Sequence, residues 1–577
     1  MDALSPKPLT TESVPPEPRP RTPRSTPAVA LAALAIIGAW MVLELAGLGA
    51  VPFHTKGEPR EALVVWEMTH GGGWILPKRN GTELPSKPPL FHWLGAITSL
   101  VRGTTDEFSI RFPSALLSLI GIVGVFAAGT ALWGPAAGFV AALSLMTTFE
   151  WARAATNARV DMTLTVGMEA AFLGFLFFLR TRRTVFLAVL YAGIAFAALG
   201  KGPVGVVLPG AVALATIVAA RDFKLLREMR LARGALFVVV AAGSWYALAW
   251  QIGGGDFIQK QVLNENIFRF VGGARFSGGH RHSNLELFGL LLLGLMPWML
   301  FVPHTLVALW TRRREISLRS GELYCLLWIV VVCGFYAVVT SKRSVYLLAI
   351  YPAVALLLGW WWQDAMAHGS AWKSAMLRLV GGLAVAVVSI VLIVVALQAI
   401  GLPILDGIAG LLSPRDRANV LSASQGLAAG PSLGLIGLAA ALAAMVIFRQ
   451  ASGEGHLRAV FASLFVAAAA LIIVIRLVIL PGIASQETLR DFMKEARAAI
   501  GPADAPFFYR TFDYGAVFYS EGHIPTYDGP FPKGAPRFLL MSRSEWERLR
   551  PRAVNDYEQV RLPSDPRRMV LVRRRGG

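Results

Sequence analysis

Of the 577 residues, 55% are hydrophobic and only 16% charged, and the mean hydropathy is +0.55. A soluble domain of this length carries roughly a quarter charged residues, so the composition excludes an ordinary soluble enzyme and points to a polytopic membrane protein. The net charge of +19 does not call for nucleic acid, because the basic clusters sit between apolar runs, where positive-inside topology puts Lys and Arg.

Residues 1–26 hold seven prolines among scattered polar residues, a composition that cannot bury a core and reads as a disordered cytoplasmic tail. The apolar run Pro27 to Val51 is too long for a signal-peptide core and shows no cleavage site, so it is the first spanning helix. Arg19, Arg21 and Arg24 hold its start inside. Further spans are expected near 111–132, 134–150, 162–179, 184–200, 203–220, 235–253, 286–310, 321–340, 345–362, 377–400, 431–448 and 458–481, each an apolar run of roughly 20 residues. That gives about thirteen transmembrane helices and an outer C-terminus. The basic connections "RTRR" (180–183), "RDFKLLREMRLAR" (221–233) and "RRR" (312–314) then all fall on the cytoplasmic side.

Three pieces are expected outside: the loops 52–110 and 254–285 and the tail 484–577, with 27–483 forming the membrane domain. In the tail, "QETLRDFMKEARAAI" reads as a helix and "PFFYRTF", "RFLLMS" and "RMVLVRR" as strands, which predicts a small α/β extracytoplasmic domain. No repeat is evident, unlike many transporters. Cys325 and Cys333 have neither zinc nor disulfide spacing and read as small hydrophobes.

Charge inside a membrane is costly, so its location is informative. Glu44, Glu58, Arg60, Lys87, Arg111, Asp161, Lys201, Glu265, Arg269, His280, Lys342 and Arg343 gather at the predicted outer ends of helices. A proton-coupled transporter more often places such groups at the midplane. Lys and Arg beside Tyr suit a phosphate, and carboxylates at the same level suit a general base or a divalent cation. Interfacial anchoring remains the plain alternative for any single cation. "KGP" (201–203) also fits a tight turn with Pro203 starting a helix, Asp161 also fits a helix cap, and "NGT" (80–82) reads as a turn.

The order of these segments resembles the polyprenyl-phosphate-sugar glycosyltransferases of the GT-C fold, the lipid A aminoarabinose transferases and protein O-mannosyltransferase superfamily. That family opens its first external loop with "DE" and an Arg, then "REM", "GDW", "P" and "EKPP". Here the same order reads "GEPREALVVWEM", "GGGWILP", "NGTELPSKPPLFHWL", "SIRFPSAL", "ARVDMTL", "ALGKGP", "ENIFRF", His280 before "MPW", and "SKRSVYLLAIYPA". The likeness covers about residues 30–360.

It implies a membrane glycosyltransferase of the bacterial plasma membrane. The donor would be a polyprenyl-phosphate-linked sugar and the acceptor a lipid, glycan or protein, with inversion and no nucleotide cofactor. By the same resemblance Glu58 and Asp161 are the catalytic acids and Arg60 orients them. Lys87, Arg269 and Tyr346, with Lys201 and Lys342, hold the donor phosphate, and Glu265, His280 and Glu83 serve the acceptor or a divalent metal ion. Two departures matter: the family's first acid falls on Gly57, leaving only Glu58 of the acidic pair, and the acid of "EKPP" is Ser86, with Glu83 three residues earlier, which bears on the metal. The rival readings are a lipid-linked sugar transporter or flippase and a non-catalytic scaffold.

Overall fold

The structure, a computed structural model, describes residues 26–268, 283–339, 343–368 and 371–575, the last stretch apart from 413–416, 418, 419, 423, 426, 428–430, 455, 456, 533 and 565–567. Among the described residues seven helices are long and apolar enough to cross a membrane, and one bent pair and several shorter apolar helices accompany them. The chain is a multi-pass, predominantly helical membrane protein.

The first part of the chain runs in order through α1 (Thr26–Trp40), α2 (Gly57–Thr69), α3 (Leu90–Arg102), α4 (Glu107–Trp133), α5 (Pro135–Met146), α6 (Phe149–Ala155), α7 (Asp161–Thr181), α8 (Val185–Lys201) and α9 (Val204–Ala220). Asp106 starts α4 by accepting the Ser109 amide at 2.8 Å. α7 and α8 form an antiparallel hairpin whose glycines let the backbones approach closely. A Cβ at Gly193 would lie 2.6 Å from the Ala171 amide nitrogen and the Gly167 carbonyl oxygen. This packing sets Asp161, the first residue of α7, beside Lys201, the last of α8.

At the far end of that hairpin Arg182 donates to Asp222 (2.8 Å) and Glu228 (2.7 Å), and Arg312 pairs with Asp364 at 3.0 Å. The predicted cytoplasmic connections therefore gather at one end of the bundle, opposite Asp161 and Lys201.

Three expectations about the spans are corrected. The run 134–150 ends as a helix at Met146, because the Thr147 and Thr148 hydroxyls donate to the Leu143 and Ser144 carbonyls and divert the backbone before α6. The run 286–310 is not one helix: Asn284–Gly294 and Trp298–Thr311 meet at 101°, where Pro297 lacks the amide that a continuous helix needs. The loop expected from 254 is helical instead. The Leu231–Phe268 helix turns at Gly254 (φ 53°, ψ −137°) and runs on to Phe268, and residues 269–282 of that loop lie outside the described residues.

The tail forms a five-stranded mixed sheet, with β1 (Phe507–Tyr509), β2 (Thr526–Tyr527), β3 (Phe538–Ser542), β4 (Tyr557–Gln559) and β5 (Met569–Arg574) in the order β2-β1-β3-β5-β4. β1 pairs parallel with β2 and β3, whereas β5 pairs antiparallel with β3 and β4. Helices Arg490–Ile500, Tyr514–Ser520 and Arg543–Ala553 flank it. The sheet region shares a core with α2: Phe53, Leu63 and Val64 pack in one cluster with Met493, Phe508 and Phe518. Asn80, in the "NGT" turn at φ 50°, exchanges two 2.8 Å hydrogen bonds with the backbone of Ile524.

Candidate functional site

The site begins at the N-terminus of α2. Glu58 is completely buried, and both its oxygens are engaged. Arg111 donates from Nε to Oε1 (2.7 Å) and from Nη2 to Oε2 (2.9 Å), and the Ala158 amide donates to Oε1 at 3.0 Å. Burial alone would raise its pKa, but the charge and hydrogen bonds of Arg111 outweigh that and hold the carboxyl below the usual range. Glu58 is thus a structural tie between α2, α4 and the strand of backbone leading to α7. The carboxylate that the resemblance expects among the catalytic acids is held here in an ion pair with Arg111.

That tie delivers Arg159 and Asp161. Asp161 accepts from Lys201 Nζ at 2.5 Å and from Arg159 Nε at 3.3 Å, and it makes no helix-capping bond. Lys201 in turn lies 4.7 Å from the centroid of the Tyr346 ring, which stacks on Tyr336 at 5.3 Å. The turn after Lys201 is real as well: Gly202 adopts φ 93° and Pro203 precedes α9.

From Gly202 the contacts continue around the site. A Cβ at Gly202 would sit 3.3 Å from Oδ1 of Asn266. Asn266 donates to the Gln261 carbonyl at 2.5 Å, and Gln261 donates to the carbonyls of Pro85 (2.9 Å) and Lys87 (3.2 Å). Lys87 pairs with Glu265 at 2.7 Å. Glu265 reaches the field of Arg60, whose proton affinity is raised first by Glu61 and further by Tyr514 and Glu265. Arg60 lies one helical turn from Gly57, and a Cβ on Gly57 would fall 2.0 Å from Nη1 of Arg159. Arg159 and Lys201 both pair with Asp161, one positive charge more than it neutralises, while Lys87 pairs with Glu265 and Arg60 with Glu61.

Of the residues expected in the site, Arg60, Lys87, Asp161, Lys201, Glu265 and Tyr346 come together. Glu83 reaches this group through Tyr514, whose charge acts on Arg60. It binds Arg79 (2.8 Å), Lys260 (3.4 Å) and Tyr514 (3.0 Å) at the contact with the C-terminal sheet region. Glu44 is fully buried within the first span. Arg269, His280 and Lys342 lie outside the described residues. The sequence reading missed Arg159, which reads as one more interfacial cation in "ARVD", and Arg153, whose guanidinium clasps Glu150 (2.6 and 2.8 Å) within the field of Asp161. The place of Arg159 depends on the room left at Gly57, about a hundred residues away, for which one sequence holds no signal.

A divalent cation does not fit the residues described. Among them no group of three or more His, Cys, Asp or Glu side chains could hold a metal, and the volume beside Gly57 is filled by a guanidinium.

Residues 86–246 match the family model described as dolichyl-phosphate-mannose-protein mannosyltransferase. The chain is 30% identical over 349 residues to an undecaprenyl phosphate-alpha-4-amino-4-deoxy-L-arabinose arabinosyl transferase of Pseudomonas fluorescens, covering 58% of this chain and 61% of that one. A like-named transferase of Pectobacterium atrosepticum is 26% identical over 382 residues, covering 63% and 66%. The chain thus spans about half to two thirds of the length of the curated relatives it matches. Among solved structures, ArnT from Cupriavidus metallidurans bound to undecaprenyl phosphate superposes with a TM-score of 0.75 at 20% identity, over 95% of this chain and 98% of that one. The chain has the GT-C fold and resembles the polyprenyl-phosphate-sugar glycosyltransferases of this superfamily.

Proposed function

We propose that this protein is an integral membrane glycosyltransferase that moves a sugar from a polyprenyl-phosphate donor to a hydroxyl or phosphate oxygen of a lipid, glycan or protein acceptor. The observation that carries the reading is the group of paired cations at one end of the bundle, Lys201 and Arg159 on Asp161 and Lys87 on Glu265. It lies in the fold of a transferase solved with a polyprenyl phosphate. Thirteen spans in a bacterial plasma membrane, with the N-terminus in the cytoplasm and the site and C-terminal sheet outside, accord with the basic connections at the opposite end.

In the resting site Lys201 and Arg159 are held by Asp161, and Lys87 by Glu265. A donor phosphate competes for these cations through charge-assisted hydrogen bonds and frees an oxygen of Asp161. The acceptor oxygen then bonds to the anomeric carbon from the opposite face as the carbon–phosphate oxygen bond breaks. Its proton passes to Asp161, and the electron pair stays on the departing lipid phosphate. Lys87, Lys201 and Arg60 meet the charge that develops there. Since the leaving group is already a phosphate, the reaction requires no nucleotide.

The test is transfer of labelled sugar from a synthetic polyprenyl-phosphate donor by purified protein in nanodiscs. Asp161→Asn is expected to lower turnover about a hundredfold or more with donor binding retained, and Lys87→Ala to weaken donor binding. Wild-type protein that binds donor yet transfers to none of the acceptor classes would overturn the assignment.

A further inference from the structure

Gly57 opens α2 with ordinary helical backbone geometry, since its φ is not among the positive ones. Glycine is therefore not required there by conformation. What it provides is room, because a Cβ would lie 2.0 Å from Nη1 and 3.2 Å from Cζ of Arg159. The guanidinium is held in that room from several sides. The backbone of 157–159 is fixed by the Ala158 amide on Glu58 (3.0 Å) and the Arg159 amide on the Asn157 carbonyl (2.9 Å). Nε donates to Asp161. The side chain keeps 25% of its surface open, and among the described residues its two terminal nitrogens have no hydrogen-bond partner.

Any side chain at position 57 would compete for this same space, which a fixed positive group occupies in this chain.

We infer that Arg159, admitted by Gly57, is a donor-phosphate-binding residue that supplies in guanidinium form the positive charge a carboxylate-held metal ion would otherwise bring. The assignment rests on the transferase reading above. Its terminal nitrogens can donate two parallel bonds to phosphate oxygens, and Asp161 and Gly57 together set the plane in which they point. The site then binds and neutralises the lipid phosphate without a divalent cation.

The affinity of the full-length protein for a synthetic polyprenyl phosphate, measured in nanodiscs with EDTA or with added Mg2+, Mn2+ or Zn2+, reads this directly. The wild-type Kd is expected to stay within twofold across these conditions. Arg159→Ala should weaken binding tenfold or more, and Arg159→Lys should recover part of it. Gly57→Ala should weaken binding to a similar degree by expelling the guanidinium, and the double variant should be no weaker than the worse single one, since both remove one contact. Arg159→Ala only removes atoms at a half-open position, so it keeps the test sharp if Gly57→Ala folds poorly.

A tenfold loss of wild-type affinity in EDTA, or Arg159→Ala binding within twofold of wild type, would overturn the inference. Metal-dependent transfer of sugar would sink this inference and leave the transferase standing. Chelator-independent donor binding without any transfer would do the reverse.

Discussion

Glu58 shows how the same side chain can be central without being chemical. It lies in the segment that the sequence marks as the most charged of the first external loop, and the resemblance places a catalytic acid there. Its burial against Arg111 becomes visible only when α4 is folded beside α2. Replacing Glu58 with Ala should leave the buried charge of Arg111 without its carboxylate, with only the Leu48 and Val51 carbonyls to bond, at a cost of about 3–5 kcal/mol, read as a lowered unfolding temperature and a poor yield of folded protein. Activity per folded molecule should fall far less than in Asp161→Asn.

Acid should test the same tie. Glu58 and Glu61 are both held below the usual carboxylate range. In Glu61 burial pushes upward, but Arg60 and His92 prevail and hold it well below. A depressed folded pKa contributes stability that is present above the unfolded pKa near 4.5 and lost as pH falls through the folded value. Thermal stability should therefore be flat in these groups above about pH 5 and decline only on further acidification. Loss of stability between pH 7 and 5 traced to either carboxylate would contradict this.

Among the elements, the α7–α8 hairpin matters most, because it brings two site residues together by backbone proximity alone. Gly193→Leu should force the helices apart. Overpacking of this kind costs about 1–3 kcal/mol, and here it should also weaken donor binding, since Lys201 and Asp161 would separate. Unchanged donor affinity in a destabilised Gly193→Leu protein would show that the pair is set elsewhere.

Most spans were legible in the sequence because hydropathy is a property of composition along one segment. Their breaks were not. The turn after Met146 depends on two threonine hydroxyls, the bend at Pro297 on a missing amide inside an otherwise apolar run, and the continuation past Gly254 on packing. The strands β1, β3 and β5 were legible as apolar runs, whereas β2 and β4 are two and three residues long and carry no periodicity to read.

At the scale of the molecule, the C-terminal sheet region is fastened to the segment between α1 and α4 by groups far apart in the chain. Tyr519 accepts the Phe53 amide at 2.7 Å and donates to Glu107 at 2.8 Å, and Glu67 meets His523 at 2.8 Å. Tyr519→Phe leaves the ring in place but removes both bonds, which should cost about 1–3 kcal/mol. Hydrogen exchange should rise in residues 52–69 first, ahead of the membrane helices. Uniform protection there would mean the loop holds its shape without the tail. Six of the expected site residues were legible, each by residue type and place in the motif order. Arg159 was not, because its meaning depends on an empty Cβ position a hundred residues away.

The hairpin carries a further consequence for how this chain can vary. Asp161 opens α7 and Lys201 closes α8, with 21 and 17 helical residues between them and the turn at Arg182. Adding or deleting a single residue within either helix would rotate its end by roughly 100° and swing one partner of the ion pair out of the site. Length changes are tolerable only at the turn, on the far side of the membrane from the chemistry. The two helices thus act as a ruler whose zero lies in one compartment and whose reading is taken in the other.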